Sequence, residues 1–163
     1  MTGAAVTITE TGLSEAVAAI DGIAHLPEHK VLDTIGRLVQ EQTRRRITSE
    51  KTSPDGAAWK ENYARTPILE QSGALADSID YAVDGSSVMI GSGLVYAAIH
   101  QFGGVIKPRY GDALKFWFQV GANVDFVIAK QVTMPARPYL GVSEDNKAEI
   151  LEAVTDWIGG LVQ

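Results

Sequence analysis

Leu13, Val17, Ile20 and Ala24 recur at the spacing of one helix face. Thr11 or Ser14 is available as a cap and Glu15 falls in the first turn, so residues 11–24 are expected to form a short amphipathic helix. Pro27 interrupts the pattern and suits the first turn of a second helix, where a missing N–H costs nothing. That helix carries Val31, Leu32, Ile35, Leu38 and Val39 on one stripe, continued by Gln42, and is expected to run to about Thr48. Arg44, Arg45 and Arg46 sit in its last turns, where cations favour the helix dipole. From residue 49 to 66 the periodicity vanishes, and Ser53-Pro54-Asp55-Gly56 has the chemistry of a tight turn. A loop of that length in a compact domain is usually functional or mobile.

A short helix is expected over residues 68–76. Beyond it, the alternating runs Ile79-Tyr81-Val83 and Val88-Ile90 flank Asp84-Gly85. A two-residue turn there would pair Val83 with Ser86, Tyr81 with Val88 and Ile79 with Ile90. A second hairpin within residues 113–130, turning at Gly121-Ala122-Asn123, would pair Val120 with Val124, Phe118 with Phe126 and Phe116 with Ile128. Between the hairpins, residues 96–102 read as one or two helical turns stopped by Gly103-Gly104. Residues 133–140 carry two prolines and are expected to be extended. The last element places Ile150, Val154, Trp157, Ile158 and Leu161 at helical spacing behind a Ser143 cap, with Glu144 and Asp145 complementing the helix start. No internal repeat, low-complexity tract or domain boundary interrupts the chain. The pattern predicts a single α+β domain over residues 1–163. Its architecture would be a mainly antiparallel sheet packed against two or three amphipathic helices, with one long loop.

Composition narrows the function more than the fold. A chain of 163 residues, 45% hydrophobic and 21% charged, is neither disordered nor collagenous. It can bury roughly 70% of the surface its unfolded form exposes. Twenty acidic against fourteen basic residues give a formal charge of −6, which disfavours a protein whose main work is coating nucleic acid, although a local basic patch is compatible with it. The absence of cysteine excludes disulfides, thiolate zinc sites, iron–sulfur clusters and cysteine nucleophiles. Residues 1–10 lack a basic and an apolar region, so no signal peptide is expected there. Residues 85–106 are uncharged and long enough to span a bilayer, but five glycines, three serines, His100 and Gln101 argue against a membrane segment.

Candidate chemistry is sparse. His25-Leu26-Pro27-Glu28-His29 matches the inverted zinc-protease spacing, which works only when both imidazoles leave one face of a continuous helix. Pro27 lies between them, so a polar inter-helix linker is the expected reading and a zinc-dependent hydrolase the weaker alternative. No serine occupies a nucleophile elbow, and Gly91-Ser92-Gly93 and Gly103-Gly104 lack the frame of a phosphate loop. Asp77, Asp80 and Asp84 read as solvated carboxylates. No catalytic residue, metal ligand or cofactor is expected. Arg44, Arg45 and Arg46 read first as a solvated helix end. Contact with an acidic partner is the second reading, and a nucleic-acid-binding accessory role the third. Arg109 and Arg137 lie in proline-flanked segments, where a bidentate pair to a carboxylate would pin a loop.

From the second helix onward the order of features resembles the phage virion morphogenesis or tail-completion family of Mu-like and related tailed phages. The landmarks are Arg44 to Ile47, then Pro54-Asp55-Gly56 with Trp59, then Leu69 and Ser72-Gly73-Ala74-Leu75 with Ser78-Ile79. They continue through Val88-Met89-Ile90-Gly91, Tyr96-Ala97-Ala98-Ile99-His100-Gln101-Phe102-Gly103-Gly104 and Met134-Pro135-Ala136-Arg137-Pro138-Tyr139-Leu140-Gly141. The resemblance covers roughly residues 32–155, leaving the first 30 as an N-terminal arm or extra helix. It implies a non-enzymatic structural component of the virion neck that completes or terminates the tail and joins it to the head, made in the host cytoplasm. Such proteins form rings, commonly six-fold, through closed heterologous interfaces. The implied partners are further copies of the chain, tail-tube or sheath proteins and head-connector proteins, with no membrane and with DNA only passing through the ring. A ring subunit needs anchors that bury on assembly. Trp59, Tyr96, Gln101, Phe102, Arg137 and Tyr139 are the expected interface residues, with Trp117 a further aromatic candidate.

Overall fold

The computed structural model describes residues 17–18, 20–22, 28–63 and 65–160. The expected first helix therefore lies outside the described residues except at 17–18 and 20–22, which are helical, with Val17 and Ile20 exposed. Leu26 and Pro27 also lie outside, as does the His25 half of the zinc motif. Among the described residues no group of histidine and carboxylate side chains could hold a metal ion, and His29 is exposed.

Helix α1 (Glu28–Arg45) is long because its apolar stripe finds a partner along its whole length. Val31, Leu32, Ile35 and Leu38 are half-buried and Val39 and Gln42 buried, while Asp33, Arg37 and Glu41 face solvent. The partner is the hairpin of β1 (Ile79–Asp84) and β2 (Ser87–Ser92), whose inward residues Ile79, Tyr81, Val83, Val88 and Ile90 alternate with exposed ones. Gly36 is the point of closest approach. A Cβ there would lie 2.3 Å from the Tyr81 ring, so the helix accepts a poor helix former to let the ring in. The Tyr81 hydroxyl then donates to Asp33 Oδ1 at 2.8 Å.

The expected end near Thr48 takes a different form. After Arg45 the chain widens into a π-type turn, Arg46–Glu50, closed by the Lys51 N–H donating to Arg46 O at 3.0 Å with Lys51 left-handed at φ 56°. Arg46 and Ile47, consecutive residues, are both buried there. The loop beyond is held rather than loose. Gly56 N–H donates to Ser53 O at 2.9 Å in the expected tight turn, Thr52 bridges Ala58, and Lys51 Nζ binds Glu70 Oε2 at 2.6 Å. The helix expected over residues 68–76 shrinks to α2 (Ala74–Asp77). Leu69 is left-handed at φ 59° and Gly73 at φ 72°, which prevents helix through 69–73.

Helix α3 (Ala97–Phe102) forms as expected and stops at Gly103, φ 68°. The chain then makes β3 (Gly104–Ile106), which pairs antiparallel with β6 (Val132–Met134). Between them lies the hairpin of β4 (Leu114–Val120) and β5 (Asn123–Ala129). Helix α4 (Glu144–Gly159) is capped by Ser143, whose Oγ accepts from Asn146 N–H at 3.1 Å while Asn146 Oδ1 accepts from Ser143 N–H. Its half-buried residues Ile150, Val154, Trp157 and Ile158 keep the expected stripe, and α4 packs on α1; Leu161 lies outside the described residues.

The chain is thus α+β, but its sheet is three separate two-stranded antiparallel ribbons, and α1 covers only the first. Both hairpin registers also differ from expectation. In the first, Gly85-Ser86 rather than Asp84-Gly85 makes the turn, so Val83 pairs Val88, Tyr81 pairs Ile90 and Ile79 pairs Ser92. Gly85 takes the first turn position at φ 55°, where a two-residue hairpin loop needs positive φ. The slip is two residues and keeps the apolar face. In the second, Gly121-Ala122 alone turns, and Asn123 pairs Val120. That slip is one residue and carries every β5 side chain to the other face. The apolar core is Ile47, Trp59, Leu75, Ala76, Ile79, Ala97 and Tyr139, with Ile68, Leu69, Ile90, Leu94 and Leu140 packed against it.

Candidate assembly surface

The three arginines at the end of α1 hold the fold together. Arg44 Nη2 donates to Ile79 O at 2.9 Å. Arg45 binds Glu50 at 2.9 Å and both oxygens of Glu149 at 2.9 and 3.1 Å. Arg46, 1% exposed, donates to Tyr139 O at 3.0 Å, Gly141 O at 2.8 Å and Asn146 Oδ1. The bonds of this cluster run to β1, Glu50 of the π-type turn, the 139–141 strap and α4, so it is not simply a solvated helix end. Burial pushes the Arg46 pKa down, and a hydrogen bond from Gln42, then one from Arg45, holds the Glu149 carboxyl below the usual range.

Three of the residues expected at an interface are likewise interior. Trp59 is buried and its Nε1 donates to Pro138 O at 3.1 Å. Tyr139 is buried with its hydroxyl donating to Ala97 O at 3.1 Å. Arg137 is buried, and Nε and Nη2 both donate to Lys60 O, at 3.0 and 2.9 Å. It pins a loop bidentately, as its setting suggests, but through a backbone carbonyl rather than a carboxylate. Gln101 is half-buried: Oε1 accepts from the Tyr139 and Leu140 N–H groups, both at 3.0 Å. Of the six, only Tyr96 and Phe102 are exposed, Phe102 by 77%.

The largest exposed aromatic face lies on the β4–β5 hairpin. In the β4–β5 hairpin, Phe116 pairs Val127 and Phe118 pairs Asp125 on one face, half covered by the Tyr63 ring set edge-on to Phe118 at 5.3 Å. On the other face Trp117 pairs Phe126, flanked by Ile128 and Val124, and all four side chains are 61–68% exposed. An isolated two-stranded ribbon is marginal in water and both its edges are open. Contiguous exposed aromatic patches commonly mark protein contact surfaces. Lys115, opposite Ile128 on the same ribbon, is exposed, as are Lys130 just after β5 and Lys107 and Arg109 in the segment leading to β4. Helix α4 is the opposite: five carboxylates against Lys147, with exposed Leu151 among exposed Glu144, Glu152 and Asp156. The sequence located the aromatic hairpin but not its face, because the face depends on a one-residue register.

The structure thus combines a small core, arginine anchors bonded across the fold and a bare aromatic ribbon. The chain belongs to the phage virion morphogenesis family, whose model matches residues 9–159. The match takes in most of the first 30 residues that the sequence landmarks left aside. Among curated proteins it is similar to the putative capsid assembly protein G of Escherichia phage Mu, 33% identical over 111 residues, 64% of this chain and 56% of that protein. It is also similar to the Mu-like prophage FluMu G protein 2 of Haemophilus influenzae (strain ATCC 51907 / DSM 11121 / KW20 / Rd), 31% identical over 108 residues, 65% of this chain and 63% of that protein. The matched regions therefore span less than two thirds of each relative. No solved structure matches the chain. Among the described residues no helix is long and apolar enough to cross a membrane.

Proposed function

We propose that this protein acts by binding rather than catalysis, as a structural component of the virion neck that completes or terminates the tail and joins it to the head. In this reading it works as a closed homo-oligomeric ring, six-fold by expectation, in contact with tail-tube or sheath proteins and head-connector proteins, with DNA passing through the ring. Membership of the virion morphogenesis family supports an assembly role. The observation that carries self-association is the bare Trp117, Val124, Phe126 and Ile128 face. The occupant proposed for it is the acidic, Leu151-bearing face of α4 on a second copy. Lys115 lies on the hairpin with Lys107, Arg109 and Lys130 close to it in sequence, α4 carries five carboxylates, and joining two different patches head to tail generates rings when the rotation closes.

Sedimentation velocity and native mass spectrometry of the purified chain test this. The expected result is a discrete closed oligomer that Trp117→Asp weakens at least tenfold while leaving the thermal melt of the subunit in place, since Trp117 is outside the core. A wild-type chain that stays monomeric at micromolar concentration, or an oligomer indifferent to Trp117→Asp, would overturn the assignment of this surface.

A further inference from the structure

A second site, independent of the hairpin, lies where α3, the 134–137 strap and the 62–75 segment meet. A cleft of about 400 Å³ opens there, lined by Asn62, Gln71, Ser72, Tyr96, His100 and Arg137 among others. Its lining contains no carboxylate. Arg137 is 4% exposed and takes part in none of the ion pairs among the described residues. A guanidinium has five N–H donors. Nε and Nη2 spend one each on Lys60 O, which leaves three donors without a protein partner, two on Nη1 and one on Nη2; one from each Nη makes the end-on pair that grips a carboxylate. Beside it, His100 Nδ1 is buried and unpaired. Buried charge is ordinarily paired, and buried ring nitrogens are ordinarily hydrogen-bonded.

We propose that this cleft is a receptor for one carboxylate side chain presented by a neighbouring protein subunit, with the end-on donors of Arg137 as the clamp and His100 and the Gln71 amide as flanking hydrogen-bonding groups. One cation in a narrow cleft suits one carboxylate. A chain with formal charge −6 and a single buried guanidinium is poorly matched to the repeated phosphates of nucleic acid. Carboxylates are abundant on a second copy of the chain, and an acidic face of another virion protein carries the same group.

The test uses the full chain, labelled for NMR, with sodium acetate as the probe and chloride-balanced ionic strength. The expected result is a saturable shift of the Arg137 Nε–H and His100 ring signals with acetate, absent with chloride and at least fivefold weaker with inorganic phosphate. Gln71→Glu, at an exposed position on the cleft rim, supplies a carboxylate from within and should weaken the acetate response at least tenfold while raising the melting temperature. Unshifted or merely linear signals overturn the proposal. So does a phosphate response equal to that of acetate, or a Gln71→Glu chain that binds acetate as the wild type does. Carrying Gln71→Glu into the oligomer then separates the sources. Loss of self-association assigns the carboxylate to a second copy, and intact self-association with loss of particle assembly assigns it to another virion protein. If neither assay responds to Gln71→Glu, the cleft is not an assembly receptor.

Discussion

Arg46 shows how a run of like charges can be an internal fastener. The sequence placed three arginines at a helix end, and helix-dipole chemistry accounted for them without any partner. What it could not show is that a π-type turn rotates Arg46 inward onto carbonyls nearly a hundred residues away. Arg46→Met should therefore cost about 3–5 kcal/mol, because it strands the Tyr139 and Gly141 carbonyls and the Asn146 amide. Thermal melts should fall by roughly 10 °C or more at this chain length. An unchanged melt would mean the strap is held by packing alone. His100 gives a pH signature. Burial first, then the Arg137 charge, holds its pKa below the ordinary value. The unfolded chain takes up a proton near about pH 6.5 and the folded chain only at lower pH. The unfolded state thus binds more protons in that window, and His100's contribution is complete above it and lost as pH falls through it. Melting temperature against pH should lose this slope in His100→Gln. Identical profiles would show that the ring titrates freely.

Elements were legible where periodicity has a single solution and illegible where two registers satisfy it. The stripe of α1, the Ser143 cap of α4 and the stop at Gly103 follow from residue spacing, and all are present. The β4–β5 hairpin offered two registers, each with apolar cross-strand pairs, and the two-residue turn chose the one that exposes Trp117 and Phe126. Tertiary bonds, not local pattern, shortened the helix expected at residues 68–76, since Ile68 O and Glu70 are both taken by Lys51. Gly103 tests how strictly a turn can demand glycine. Its φ is 68°, and a Cβ would sit 2.7 Å from Ala136 N and 2.9 Å from Met134 O, both backbone atoms. Gly103→Ala should destabilise the fold by about 2–3 kcal/mol or more. Gly91→Ala, with open space at its Cβ, should change stability by no more than about 0.5 kcal/mol. Equal melts for the two variants would refute the steric argument.

At the scale of the whole molecule, a modest core stands beside a bare aromatic ribbon, and the proposed self-association would cover that ribbon. The sequence supplied the family through ordered landmarks, yet Trp59 and Tyr139 among them serve the interior. A landmark seen only as residue type does not reveal whether it packs inward or outward. Charge complementarity between the hairpin and α4 makes its own prediction. Lys115→Glu and Glu152→Lys should each weaken self-association by several-fold, and more at low salt, whereas the double reversal should restore part of the loss. Additive losses in the double variant would separate these two surfaces. The central claim, that the chain completes the virion neck, is tested most directly by electron microscopy of particles from a phage or lysogen with this gene disrupted and then complemented. The account predicts filled heads lying separate from tails, or tails of abnormal length, with normal particles restored by complementation. Intact infectious particles without the protein would contradict it.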